Sequence, residues 1–238
     1  MKINIYVLAI IVVILVIISV FYYALKKLYA HSYLLIDQPY YAKDEKRITK
    51  NMKTTICNKG ITWTYNFWIY INDWEYRFGE KKHIIQSDNV NVWLGEKTPN
   101  LYIGTNLFNN DNKDKVIEFK DLPLQKWLNI AIILDNRTMD LFINKELYRS
   151  IFFDEVPNQA TKTNFTLLPG GGYSGYISQF RYFSYNLTRS RVRTEYNFGF
   201  RGLWYKYFII RMIYKTYMFF YKMIYGDNED DLANESCS

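Results

Sequence analysis

Cysteine and histidine are nearly absent from this chain of 238 residues, which has two of each. Cys57 and Cys237 stand far apart in the sequence, and the second lies in a polar tail. A disulfide framework and a zinc site built on cysteines are therefore excluded, because both need several cysteines at short spacings. Two histidines are also too few for a metal centre rich in imidazole ligands.

The usual motifs of catalysis are missing as well. The chain has no Glu-x-Asp-x-Glu triplet, which would place the acid and the nucleophile of a glycoside hydrolase on one face of a strand. The glycines at 170–172 lack the Gly-Lys-Ser/Thr that completes a phosphate loop, so they indicate a turn with positive φ. A Ser-His-Asp triad would have to recruit His31 or His83, both at positions typical of structural histidines. We therefore predict no catalytic residue and no enzyme.

Positive charge is concentrated towards the ends of the chain. The net charge is +5 over residues 1–55, 0 over 56–188, +7 over 189–225 and −5 over 226–238. A nucleic-acid-binding domain would carry its cations on the folded body, whereas basic flanks around a neutral body are typical of segments next to a membrane. We expect a lipid bilayer, and no nucleic acid, among the partners.

Aromatic residues are abundant, at 19% of the chain, and 49% of the residues are hydrophobic. This composition is too apolar for a disordered protein, and Tyr, Phe and Trp favour strands over helices. The length leaves room for one full-sized hydrophobic core beside the two ends. The composition therefore predicts a single, mainly β domain.

The amino-terminal segment has the length and polarity of a membrane span. From Ile5 to Leu25 there are 21 residues without a charge, and Lys26 and Lys27 end the run. A helix of this length is about 31 Å long, which matches a hydrocarbon core of about 30 Å. The alternative, a cleaved signal peptide, has an apolar stretch of only ~7–15 residues followed by small residues. We interpret residues 1–27 as a single-pass anchor, and the flanking charges favour the cytoplasmic side for the rest of the chain.

Residues 28–55 are a mixed, basic interval, which we interpret as a membrane-proximal stalk. Beyond it, apolar residues recur at every second position. In residues 63–71, Trp63, Tyr65 and Phe67 fall on one face of a strand, and Thr64 and Asn66 fall on the other. Short runs of the same kind, separated by turn residues, follow at 83–87, 90–94, 101–105, 116–119, 126–134, 138–143, 146–152, 165–168 and 173–183. Many short strands at this spacing predict an antiparallel β-sandwich or jelly roll.

Four segments within residues 56–188 resemble, in order, the strands of one fold family. They are TYNFWIYINDW at 64–74, LPLQKWLNI at 122–130, LDNRTMDLFIN at 134–144 and GGGYSGYIS at 170–178. This pattern resembles the concanavalin A-like (laminin-G-like) jelly rolls, including membrane-anchored versions encoded by large DNA viruses. The resemblance implies two curved antiparallel sheets, and binding or architecture more often than catalysis.

Ligand sites are less well defined by the sequence. The polar loop at 109–114 has oxygen atoms of the kind that calcium binds, although a polar turn is the simpler interpretation, so we predict no metal or cofactor. Trp74, Tyr76 and Trp93 are candidates for stacking on sugars, but core packing accounts for them equally well. No ligand-binding residue is assigned on the sequence alone.

A second segment with membrane character lies near the carboxyl terminus. In residues 203–225, a helix would place Trp204, Arg211, Lys215 and Lys222 on one side and apolar residues on the other. We interpret 189–225 as a basic, aromatic, amphipathic helical segment that lies on the bilayer surface, followed by an acidic tail at 226–238. A second span and a helix docked on another protein are the alternatives, and the cations make the span costly.

Together these features predict a non-catalytic, membrane-anchored structural protein. The setting that the resemblance implies is the virion membrane of a large DNA virus, where the jelly roll would link an internal membrane to capsid proteins as a minor component. The alternative is an anchored, lectin-like adhesion protein that binds glycans. A degenerate glycosidase is a third hypothesis.

Overall fold

The computed structural model of the protein describes residues 15–20, 23, 32–53, 61–87, 90–105, 116–153, 162–202 and 216. Thirteen strands in two antiparallel sheets make up most of these residues. The strands are β1 (Ser32–Ile36), β2 (Tyr40–Tyr41), β3 (Lys46–Lys53), β4 (Thr62–Ile71), β5 (Lys82–Ser87), β6 (Val90–Leu94), β7 (Leu101–Thr105), β8 (Val116–Phe119), β9 (Trp127–Asp135), β10 (Thr138–Ile143), β11 (Glu146–Phe152), β12 (Lys162–Leu167) and β13 (Gly175–Phe183). The predicted mainly β, antiparallel sandwich is confirmed.

The two sheets enclose the main core. Sheet one has the strand order β1-β13-β4-β9-β10-β11, with β2 also paired to β13, and sheet two has the order β3-β12-β5-β6-β7-β8. One cluster of buried side chains draws on both sheets, and it includes Trp63, Tyr65 and Phe67 from β4, each with no exposed surface. The face of β4 that carries Trp63, Tyr65 and Phe67, which the alternation of residues placed together, is therefore the inward face.

The sandwich begins earlier in the chain than the sequence pattern indicated. Strands β1, β2 and β3 lie in the interval 28–55 that we interpreted as a stalk, and they pair with β13 and β12. Ile36 and Ala42 of this interval are buried in the core. The alternation of apolar and polar residues is weak here because β1 and β3 are edge strands, and β1 is only partly covered.

A helix, α1 (Arg189–Phe198), covers the outer face of sheet one. It begins after Thr188, whose side chain accepts a hydrogen bond from the backbone N–H of Arg191, and it ends at Gly199, where φ is +72°. The helical segment predicted for 189–225 is therefore interrupted after ten residues. A glycine in the left-handed region commonly ends a helix in this way.

The contact between α1 and sheet one forms a second, smaller core. Trp68 of β4 stacks on Tyr196 of α1 with ring centroids 5.2 Å apart. The buried apolar residues of this cluster are Ala131, Ile133, Phe142, Phe183, Leu187 and Val192. Strand β4 is therefore buried on both faces, because α1 covers the face that the sequence pattern left for solvent.

A buried ionic group also joins α1 to sheet one. Glu195 is 3% exposed, and its carboxylate lies 3.7 Å from Arg181 Nε of β13 and 3.2 Å from Arg191 of its own helix. Burial raises the pKa of the Glu195 carboxyl, and the two guanidinium groups oppose that shift. Both neighbouring charges are needed here, since an unpaired buried charge would be costly.

The turn predicted at 170–172 is confirmed, and a tight hairpin is present at 144–145. Asn144 and Lys145 connect β10 to β11 with φ of 47° and 69°, as a two-residue hairpin requires. The glycines at 170–172 all have positive φ, and a Cβ on Gly172 would lie 2.3 Å from the carbonyl oxygen of Ala42. This turn lies against the chain between β2 and β3, so glycine is required there by space as well as by φ.

The chain divides into two compact units, His31–Gly202 and a second unit of Met1–Ala30 with Leu203–Ser238. The predicted span from Ile5 to Leu25 lies mostly outside the described residues. Within the span, the structure describes only residues 15–20 and 23, and these are helical. In the part of the chain that the structure describes, no helix is long and apolar enough to cross a membrane. Lys26 and Lys27 also lie outside the described residues, as do Trp204, Arg211, Lys215 and Lys222.

The cover that α1 places on sheet one can be tested by substitution. We expect Val192→Ala to lower the free energy of unfolding of residues 31–202 by about 2 kcal/mol, because it removes two buried methyl groups. Arg193→Ala, on the exposed side of the same helix, is the control and should change stability by less than about 0.5 kcal/mol. Equal effects of the two substitutions on urea unfolding would contradict the packing described.

Candidate functional site

The outer face of sheet two carries a row of four polar and aromatic side chains that crosses four strands. The strand register places His83 of β5 opposite Trp93 of β6, Trp93 opposite Tyr102 of β7, and Tyr102 opposite Glu118 of β8. The flanking residues of β6 and β7 are buried in the core, so the members of this row point the other way. We call these four residues the aromatic row.

Two rings at the centre of the row stack on each other, and we call this pair the platform. The rings of Trp93 and Tyr102 are 5.7 Å apart at an interplanar angle of 13°. The indole lies over Gly104, where a Cβ would be only 3.0 Å from the ring, so glycine allows Trp93 to lie against the sheet. A groove of about 500 Å³ opens over this platform, lined by Lys81, Trp93, Gly95, Glu96, Lys97, Thr98, Tyr102 and Val116.

Charged and polar groups stand at both ends of the platform. The Glu118 carboxylate accepts hydrogen bonds from the Tyr102 hydroxyl and from the Asn100 side-chain amide, both at 2.9 Å. At the other end, Lys81 Nζ lies 5.7 Å from the Trp93 ring centroid. The platform therefore lies between hydrogen-bonding groups of both signs.

A buried lysine holds the turn at the edge of the groove. Lys82 is 1% exposed, and its ammonium donates to the carbonyl oxygens of Gly95 and Glu96 at 3.4 and 3.5 Å. The same ammonium lies 4.4 Å from the ring centroid of Trp74. Burial lowers the pKa of the Lys82 ammonium, and the nearby Arg77 lowers it further. This internal cation fixes the turn at 95–98 against the body of the sandwich.

A second groove lies on the outer face of sheet one, beyond the end of α1. Its lining residues are Pro39, Tyr70, Asn72, Trp127, Tyr176, Phe200 and Arg201, and its volume is about 430 Å³. Trp127 and Phe200 stack with centroids 4.3 Å apart at 10°, and Arg201 lies 5.5 Å from the Phe200 ring. We call this the tyrosine groove; its lining includes one cation and no carboxylate.

The three aromatic candidates from the sequence have different surroundings. Trp93 is part of the aromatic row, whereas Trp74 packs against the main core. Tyr76 lies under Lys43, whose Nζ is 4.2 Å from its ring centroid. Tyr102 was not among these candidates, although its position between the buried Leu101 and Ile103 places it on the outer face.

Metal ligands are not clustered at either groove or elsewhere in the described part of the chain. Within the described ranges, no three His, Cys, Asp or Glu side chains are arranged to hold a metal ion. The loop at 109–114, considered above for calcium, lies outside the described residues. The absence of a cofactor therefore stays a prediction.

Comparison with protein families gives one match. The family model described as the concanavalin A-like lectin/glucanases superfamily matches residues 48–193, which is more than half of the chain. The match begins within the interval first interpreted as a stalk, and it extends into α1. No curated protein matches the sequence.

Comparison with solved structures finds receptor-binding domains of neurotoxins. The receptor-binding domain of the botulinum neurotoxin C/D mosaic serotype is 18% identical in sequence to this chain, with a TM-score of 0.52. The match covers 69% of this chain and 44% of the neurotoxin chain. The binding domain of botulinum neurotoxin DC was solved in complex with SialylT (15% identity, TM-score 0.50) and with rat synaptotagmin II (16%, 0.50). Each of these two matches covers 70% of this chain and 46% of the other. This chain spans less than half the length of these domains, and the likeness is one of fold.

The environment of His83 gives a prediction about pH. Burial lowers the pKa of His83, and the cations of Lys81 and Arg77 lower it further, so we expect its imidazole to titrate below the ordinary value of 6.5. The folded state then binds fewer protons than the unfolded state, and stability should fall as the pH drops below about 6.5. NMR titration checks this, with His83→Gln identifying the resonance. A midpoint at or above 6.5 would contradict the described burial.

Proposed function

Because the chain belongs to the concanavalin A-like lectin/glucanase superfamily, we propose that it is a non-catalytic, membrane-anchored binding protein with a lectin-like sandwich. The ligand we propose is a glycan held on the aromatic row of sheet two. The observation that carries this proposal is the register that aligns His83, Trp93, Tyr102 and Glu118 across four adjacent strands. The anchor is the predicted span from Ile5 to Leu25.

The chemistry of the row suits a sugar chain. The C–H faces of a pyranose are apolar and pack on aromatic rings, while its hydroxyl groups need hydrogen-bonding partners. Trp93 and Tyr102 offer adjacent, nearly parallel rings, and Glu118 offers a carboxylate at one end. Lys81 and Lys97 add cations beside the groove, which suits a saccharide that carries an acidic group.

The hydrogen bonds and ion pairs of two acidic side chains support a role in recognition rather than catalysis. Glu118 already accepts hydrogen bonds from Tyr102 and Asn100, and Glu80 pairs with Arg77 at 2.7 Å. The chain also lacks the paired carboxylates that this fold uses for glycoside hydrolysis. The botulinum neurotoxin DC domain solved with SialylT supports the proposal only as an analogy of fold.

The proposal predicts the effect of removing the platform. Residues 31–202 should bind specific saccharides on a glycan array, and Trp93→Ala should weaken that binding by roughly thirtyfold, as expected for truncating a central tryptophan. Trp127→Ala, in the tyrosine groove, is the matched control and should bind as the unmodified protein does. A blank array from a folded domain, or equal loss in both variants, would overturn the glycan proposal.

A structural role in a virus particle is the second candidate. Here the sandwich would contact capsid proteins and link them to the virion membrane of a large DNA virus. The basic ends around a neutral body support membrane attachment at both flanks, and the family resemblance suggests the viral setting. The neurotoxin domain solved with rat synaptotagmin II is an example of this fold type in a protein with a protein partner.

This second candidate has its own test. We expect the full-length protein to remain in the membrane fraction after carbonate extraction, because a spanning helix is not released by high pH. It should also co-purify with particles and form cross-links to capsid proteins. Release by carbonate would contradict the anchor, while absence from purified particles would contradict the viral role alone.

A further inference from the structure

The outer face of sheet one carries α1 and the tyrosine groove, and these two features present more exposed cations than exposed acids. The exposed charged residues of α1 are Arg193 and Arg189, of which Arg189 pairs with Glu146 of β11 at 2.9 Å, while the one acid of the helix, Glu195, is buried. Arg201 is exposed at the groove, whose lining includes no carboxylate. We infer that this face lies against an anionic bilayer surface, with lipid headgroups at the tyrosine groove; the inference rests on the proposed membrane attachment.

The covalent chain limits how far this face can be from a bilayer. Residues 203–225, the predicted interfacial segment, begin two residues after Arg201, and two residues span at most about 7 Å. If that segment lies among the headgroups, Arg201 and the groove beside it lie within the same distance of them. The outer face of sheet two has no such attachment in the sequence.

The amino-terminal attachment is also on sheet one. Strand β1 begins at Ser32, five residues after Lys27, so the predicted anchor ends within about 17 Å of β1. Ser32 pairs with Phe183 at one end of β13. Ser178 lies five residues earlier in β13, and its hydroxyl donates a hydrogen bond to the carbonyl oxygen of Phe200. The two attachments are thus about 17 Å apart along β13.

The side chains at the groove are those that an interface of water and lipid favours. Tyrosine and tryptophan have an apolar body and a polar tip, and they are enriched at the level of headgroups. Tyr176 and Tyr41 are 37% and 40% exposed, and their rings are 5.8 Å apart beside the groove. Arg201 adds a planar cation that can bind a phosphate or carboxylate through two hydrogen bonds.

Site-directed labelling of the full-length protein tests this inference. A spin label is placed at Asn197→Cys, on the exposed side of α1, or at Gln86→Cys, on the outer face of sheet two, with Cys57→Ser and Cys237→Ser in both proteins. The probe is a vesicle of phosphatidylcholine and phosphatidylserine. We expect the label at 197 to be shielded from a water-soluble relaxation agent and reached by a lipid-soluble one, and the label at 86 to show the reverse.

Charge variants separate docking from simple attachment. Docked protein is the fraction whose label at position 197 is shielded from the water-soluble agent. Arg201→Gln should lower the ratio of docked to undocked protein by about fivefold, as expected for one cation near an anionic surface. Arg47→Gln, whose guanidinium is on β3 of sheet two, is the control and should leave the ratio unchanged. Protein that floats with vesicles while position 197 stays as accessible to water as position 86 overturns this inference alone. Protein that does not float overturns the membrane attachment and this inference together, and leaves the glycan proposal intact.

Discussion

Burial of strand β4 on both faces is the constraint on which the rest of the structure depends. Its inward residues fill the space between the sheets, and its outward residues, Thr64, Asn66 and Trp68, are covered by α1 and the chain that leads to it. The Thr64 hydroxyl accepts a hydrogen bond from the backbone N–H of Leu187 and donates one to the carbonyl oxygen of Tyr185. The helix is therefore part of the fold, and not an appendage to it.

This arrangement gives the two sheets different roles. Helix α1 covers the central strands of sheet one on their outer face, and the tyrosine groove lies beyond its end, next to the predicted membrane segment. Sheet two has no helix on its outer face among the described residues, so the platform of Trp93 and Tyr102 remains accessible. We therefore assign the two functions to opposite faces, with membrane contact on sheet one and ligand binding on sheet two.

The sequence predicted the strands of the sandwich well because their apolar residues alternate. Each strand between 62 and 183 was located to within three residues of its observed ends. The edge strands β1 and β3 were missed because apolar and polar residues do not alternate clearly in their sequences. Helix α1 was found only as part of a longer segment, because Gly199 ends it through backbone geometry that composition does not define.

The aromatic row was harder to predict than the fold. It depends on the register between strands that are joined by loops of different lengths, so four residues that are neighbours in space have no common spacing in the sequence. Trp93 could be proposed as a single aromatic candidate. Its relation to His83, Tyr102 and Glu118 needed the pairing of β5, β6, β7 and β8.

Amide hydrogen exchange of residues 31–202, with and without a saccharide selected on a glycan array, would locate the ligand on the sandwich. We expect the saccharide to slow exchange in β6, β7 and the turn at 95–98, and to leave the strands around the tyrosine groove unchanged. Protection confined to the tyrosine groove, or no protection on sheet two, would contradict the assignment of ligand binding to the aromatic row.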